Sequence, residues 1–174
     1  MKKSRWLIVA ALFAVACTSS ALAAITVKSL PTASFSGASL TLTGGNFSGL
    51  GNTPAFANLT ATGSATYTCT NQGGNAAPGQ NPVPAQSGSS GPLNLGNSDH
   101  NGRGTITSIT ATVTAPSPTP TAQQVGCGGK GSTSWTVTLD TLTATAGHLV
   151  ITQGGSTIFC RNYTLGGPAT GTAC

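Results

Sequence analysis

Charge is what this chain of 174 residues has least of. Charged residues make up 5% of it, with seven Lys and Arg against two acidic residues and two histidines. A typical soluble protein carries about 25%. So few charges speak against disorder driven by self-repulsion. The polar surface must instead come from Thr, Ser, Asn, Gln and Gly. Lys2, Lys3 and Arg5 lie in a segment expected to be removed. What remains keeps Lys28, Arg103, Lys130 and Arg161 against Asp99 and Asp140, a net of +2. Those cations are scattered. No basic run could neutralise several phosphates, so nucleic-acid binding has no support.

Titratable side chains are as scarce, and acid–base catalysis needs several held together. Past the leader there are only Asp99, Asp140, His100 and His148. Asp140 falls on the outward parity of its strand. His148 is read as beginning a strand beside Gly147. Asp99 and His100 are adjacent, so in extended backbone their side chains diverge. There is no Gly-x-Ser-x-Gly elbow; residues 88–91 read GSSG, the wrong spacing. A two-carboxylate glycosidase would consume both aspartates and leave none to hold sugar. Residues 97–102 (NSDHNG) resemble the start of a calcium loop. Asn97 replaces its first acid, Arg103 adds a positive charge, and Ser108 stands where the bidentate glutamate belongs. A polar turn is the better reading. His100 alone makes no transition-metal site. The expectation is a protein without catalytic residues, metal or cofactor.

Long apolar runs are missing except at the start, where residues 6–16 follow the positive cluster and are too short to span a bilayer. Ala21, Leu22 and Ala23 then form a small-x-small cleavage site. Residues 1–23 therefore read as a secretory signal peptide and the protein as secreted. The alternative lipidates Cys17, because residues 14–17 (AVAC) loosely match a lipobox with Ala14 in place of Leu. No second apolar segment follows, so no integral membrane span is expected.

Beyond the leader four cysteines remain: Cys69, Cys127, Cys160 and Cys174. An even count in an exported chain implies disulfides, and four allow three connectivities. The favoured set is Cys69–Cys127 and Cys160–Cys174. The first would tie the end of a strand to the loop before Trp135. The second would fix the apolar-poor tail to the last strand. Loop entropy makes them worth about 4 and about 3 kcal/mol respectively. No Cys-x-x-Cys is present, which disfavours a thiolate metal site.

What the chain does have is threonine in alternation. Ala57, Leu59, Ala61, Gly63, Ala65, Tyr67 and Cys69 share one side, and Asn58, Thr60, Thr62, Ser64, Thr66, Thr68 and Thr70 the other. That period of two is a strand with one face in a core. Further strands are expected at 25–30, 34–44, 105–115, 132–146, 148–152 and 157–164. Ile109, Ala111, Val113 and Trp135, Val137, Leu139 are assigned inward. The parity switch at Asp140 and Thr141 implies a bulge. Gly44, Gly45 and Asn46 imply a bulge or turn. Residues 153–156 (QGGS) make a hairpin turn. Residues 71–91, rich in Gly, Pro, Asn, Gln and Ser, read as a long loop within one domain spanning 24–174. Within it, 83–87 could pair at an edge. Many short strands between turn signals argue for an all-β fold, an antiparallel β-sandwich of immunoglobulin-like type. A jelly roll or small barrel is the alternative.

The run from Cys69 to Pro82 (CTNQGGNAAPGQNP) leads through a Thr/Pro segment to Cys127 and then to Ser134, Trp135, Thr136 and Val137. It resembles a group of small secreted bacterial proteins of unknown function, over about residues 40–146. The resemblance supports the Cys69–Cys127 pairing and implies no activity. Cys160 and Cys174 depart from its two-cysteine pattern.

The functional expectation is a non-catalytic extracellular or cell-surface protein with a structural or adhesive role. Its strand edges carry few charges, so association with itself or a protein partner is expected. The alternative is a glycan-binding module. Asn71, Gln72, Asn75, Gln80 and Asn81 would supply amides, and Tyr163 or Phe56 a stacking platform, with Phe47 also exposed. A small hydrolase is a further alternative, and ice binding through Thr110, Thr112 and Thr114 another.

Overall fold

The computed structural model describes residues 25–51, 53–95, 102–128 and 134–174. The expected leader with Cys17, the polar turn expected at Asp99 and His100, and Lys130 lie outside these residues. Among the described residues there is no helix, and every strand pairing is antiparallel.

Two sheets form. In the first, β3 (Ser39–Ser48) is central, with β9 (Gly104–Thr112) along one edge. β1 (Thr26–Ser29) and β2 (Thr32–Ser36) lie in tandem along the other. The second is built on two long strands, β4 (Ala55–Thr70) and β10 (Thr136–Gln153), paired over their whole lengths. β11 (Ser156–Thr164) folds back on β10, and β12 (Thr172–Ala173) adds to β11.

The alternation in β4 is realised: Ala57, Leu59, Ala61, Ala65, Tyr67 and Cys69 are all buried. Leu40, Leu42, Phe47, Ile106 and Ile109 of the first sheet meet Leu59, Leu149, Ile151 and Tyr163 of the second in one apolar cluster. Each such side chain stabilises the fold by about 1.5–3 kcal/mol when fully buried. β4 and β10 outrun that cluster. Their far halves carry a second one, where Ala65, Tyr67 and Cys69 meet Ala122, Val125 and Cys127, with Trp135 and Val137 packed against them.

Several expectations need correction. The strand expected at 34–44 is a hairpin. The chain reverses at Gly37 and Ala38 and returns as β3; Gly37 takes the left-handed φ of 51° that this tight turn requires. β3 does not turn at Gly44 but runs on to Ser48, and the register shift falls opposite it, in β1 between Val27 and Ser29. The bulge at Asp140 is present, with a second shift between Ala144 and Ala146. β10 then continues unbroken through His148, which sits inside a strand rather than at its start. Leu139, expected inward, is 39% exposed.

Residues 71–91 are not a free loop. They begin a segment that returns along the outer edge of β4 in four short pieces: β5 (Ala76–Pro78), β6 (Val83–Pro84), β7 (Gly88–Ser89) and β8 (Leu93–Asn94). These meet β4 in descending order at residues 68–70, 64–65, 60–61 and 56–57. Further bonds run from Gly79 N to Tyr67 O (2.6 Å), Ala85 N to Gly63 O (3.0 Å), Ser90 N to Leu59 O (2.9 Å) and Leu95 N to Ala55 O (3.0 Å). The edge groups of a long strand need partners, and a chain broken by Pro78, Pro82, Pro84 and Pro92 can supply them only intermittently.

Candidate functional site

Both disulfides join the pairs favoured above. Cys69 and Cys127 have Cα atoms 6.3 Å apart, and Cys160 and Cys174 have theirs 5.8 Å apart. Two disulfides fit an oxidising compartment.

The proposed amide site does not assemble with its platform. Asn71 closes the turn after β4: its Oδ1 accepts from Asn75 N at 2.9 Å, and its N–H donates to Asn75 O at 3.1 Å. Gln72, Asn75, Gln80 and Asn81 are exposed. Asn81 N donates to Val125 O at 3.1 Å, placing it near Cys127. Tyr163 belongs to the other cluster and is 1% exposed, so it offers no stacking surface there. Burial pushes its phenol up to about 12, against the opposing pull of the Arg161 charge. Phe47 is likewise buried, edge-on to Phe159 with ring centres 5.2 Å apart. Phe56 is exposed at 38%, as expected.

Asp140 and His148 are both exposed on β10. Eight residues of extended chain separate them by roughly 25 Å, so they cannot share a reaction centre. His148 Nδ1 is instead 2.7 Å from Asn162 Oδ1. Among the described residues no three His, Cys, Asp or Glu gather as a metal site would require. Nor is any helix there long and apolar enough to cross a membrane.

Two features depend on strand register, and linear reading gave only Thr110 and Thr112 of the first. One is the outer face of the first sheet. The register aligns Ser36, Ser39 and Thr112; Ser34, Thr41 and Thr110; and Thr32, Thr43 and Ser108 in three rows across three strands. Hydroxyls bond between strands, Ser39 to Thr112 at 2.9 Å and Thr41 to Thr110 at 2.8 Å. Each strand shows alternation, but only the register stacks the hydroxyls into a lattice. The other is a depression of about 310 Å³ lined by Lys28, Asn46, Phe47, Ser48, Arg103, Gly104 and Thr105. Lys28 and Arg103 are far apart in sequence and flank β3 because β1 and β9 pair with its same end. Comparison with protein-family models, with curated proteins and with solved structures finds no match for this chain.

Proposed function

We propose that this is a secreted, non-catalytic extracellular or cell-surface protein that plays a structural or adhesive role by pairing through a strand edge. The observation that carries the reading is the outer edge of β11. β12 covers only Arg161 and Asn162. Among the described residues, positions 156–159 (STIF) have no backbone partner on that side. The segment has neither charge nor proline, the usual devices that keep an edge from pairing. The other edges are partly closed. Residues 76–94 cover β4, Ala33 N donates to Ala169 O at 2.8 Å beside β2, and Gln86 bridges to Thr114 just beyond β9.

The scaffold is inferred to be an immunoglobulin-like sandwich. One layer runs β2, β3, β9 and the other β11, β10, β4. Adjacent strands form hairpins at both ends of the chain, and the connections β3 to β4 and β9 to β10 pass between sheets. This order supports the reading, since it corresponds to strands A, B, E over G, F, C of that fold.

Light scattering of the leader-free protein over a concentration series tests the function. Concentration-dependent assembly is expected, and Thr157→Lys should abolish it by placing a charge on the edge. A strictly monomeric particle at high concentration would overturn it. The depression at Lys28 and Arg103 favours a second reading, a module for acidic glycan. Salt-sensitive retention on insoluble polysaccharide, lost in Lys28→Ala, would support that alternative.

A further inference from the structure

The two disulfides differ in what surrounds them. Cys69–Cys127 lies inside the second apolar cluster, with both residues buried. Cys160 is half-buried and Cys174 is exposed. An imidazole stands beside the open bridge: His148 Nδ1 is 3.8 Å from Cys174 Sγ. The same nitrogen is 2.7 Å from Asn162 Oδ1, an oxygen that can only accept. Nδ1 therefore carries a proton, and the ring is held with that N–H facing both the amide and the sulfur. The register sets this up. Thr60, His148, Asn162 and Thr172 form one row across β4, β10, β11 and β12, and the two cross-strand partners of His148, Thr60 and Asn162, carry no charge.

We propose that Cys160–Cys174 is a thiol–disulfide exchange site, opened by an external thiol, with Cys174 as the leaving group beside His148. An incoming thiolate attacks Cys160 Sγ and forms a new S–S bond to it. The Cys160–Cys174 bond breaks, and its electron pair stays on Cys174 Sγ as a thiolate. A sulfur leaves faster when its thiolate is stabilised, and an imidazole N–H beside it can do this by hydrogen bonding. No other oxidant or reductant is consumed. In the reverse direction the Cys174 thiolate attacks Cys160 and expels the external thiol.

The tail is built to stay while the bridge is open. Arg161 donates from Nε to Thr170 O and from Nη2 to Gly171 O, each at 2.7 Å. The β11–β12 pairing holds Thr172 and Ala173 in register. Cys174 therefore remains beside Cys160 and His148, and the site can re-close. This inference is independent of the edge-pairing reading, because it needs only the sulfur pair and the ring.

The test uses the oxidised, leader-free protein. It is incubated in separate arms with reduced glutathione and with a cysteine-containing peptide, quenched with acid and mapped by mass spectrometry. The expected product is an adduct on Cys160 with Cys174 free and Cys69–Cys127 intact, formed at least tenfold faster than any opening of the latter. His148→Ala, an exposed substitution checked for folding by circular dichroism, should slow the reaction several-fold at neutral pH. Reaction with glutathione alone would assign the site to small thiols, and reaction with both probes to protein cysteines as well. Opening of Cys69–Cys127 at a similar rate, an adduct on Cys174 instead, or an unchanged rate in His148→Ala would each overturn the proposal.

Discussion

Gly147 of β10 lies directly against the Leu40 side chain of β3, so that a Cβ on Gly147 would collide with Leu40 Cδ2. The contact lies between the two sheets, where Leu40 is fully buried. Gly147→Ala should therefore destabilise by about 1–3 kcal/mol through overpacking, read from urea unfolding. Gly51→Ala is the control. Among the described residues nothing lies within 4 Å of a Cβ there, and no left-handed φ is needed, so stability should change by less than about 0.5 kcal/mol.

Replacing Cys69 and Cys127 together by Ala should cost about 4 kcal/mol, more than the same change at Cys160 and Cys174, because the closed loop is longer, 58 against 14 residues. Equilibrium unfolding of the two double variants checks the order. Trp135, packed on the second cluster, gives a local fluorescence signal for the larger loss.

Gln153 is the buried polar side chain among the described residues, and its amide donates to Thr53 O at 2.6 Å. That bond ties the approach to β4 to the end of β10. Gln153→Leu removes this donor from the Thr53 carbonyl and the polar tie at the end of β10. It should cost about 1–3 kcal/mol and raise amide exchange at residues 53–55.

The Tyr163 hydroxyl is buried and has no hydrogen-bond partner among the described residues. Tyr163→Phe should therefore be neutral or stabilising at neutral pH. Its phenol is held up to about 12 in the folded state against an ordinary 10. Below pH 10 the group is protonated in both states and adds no pH dependence. As pH rises from 10 towards 12 the unfolded chain ionises first, and stability falls. Alkaline unfolding should begin at higher pH in Tyr163→Phe.

Much of the fold was legible because alternation is a local signal. Ala57 through Cys69 announce one buried face without any knowledge of a partner, and the parity change at Asp140 marks its bulge. The hairpin at Gly37 was missed because Ser and Thr occur on both sides of it and no Asn-Gly or Gly-Gly marks the reversal. Residues 71–91 were misread because their strands are two or three residues long, too short to show a period, and are held by the edge of β4 instead of by their own pattern. Tyr163 was taken for a platform because its parity is clear only once β11 is paired to β10. Leu139 was taken for core because nothing in sequence says where the covering segment stops.

By itself the amino-acid order determined the strand-forming class, the hydroxyl-rich exterior and an even set of cysteines able to pair. These follow from side-chain alternation and composition, both written along one dimension. Tertiary structure alone decided that Lys28 and Arg103 line one depression at the end of β3, that His148 stands beside Cys174, and that, among the described residues, positions 156–159 have no partner along their outer edge. Such placements depend on register between strands distant in the chain, where a shift of one residue would turn every side chain to the opposite face.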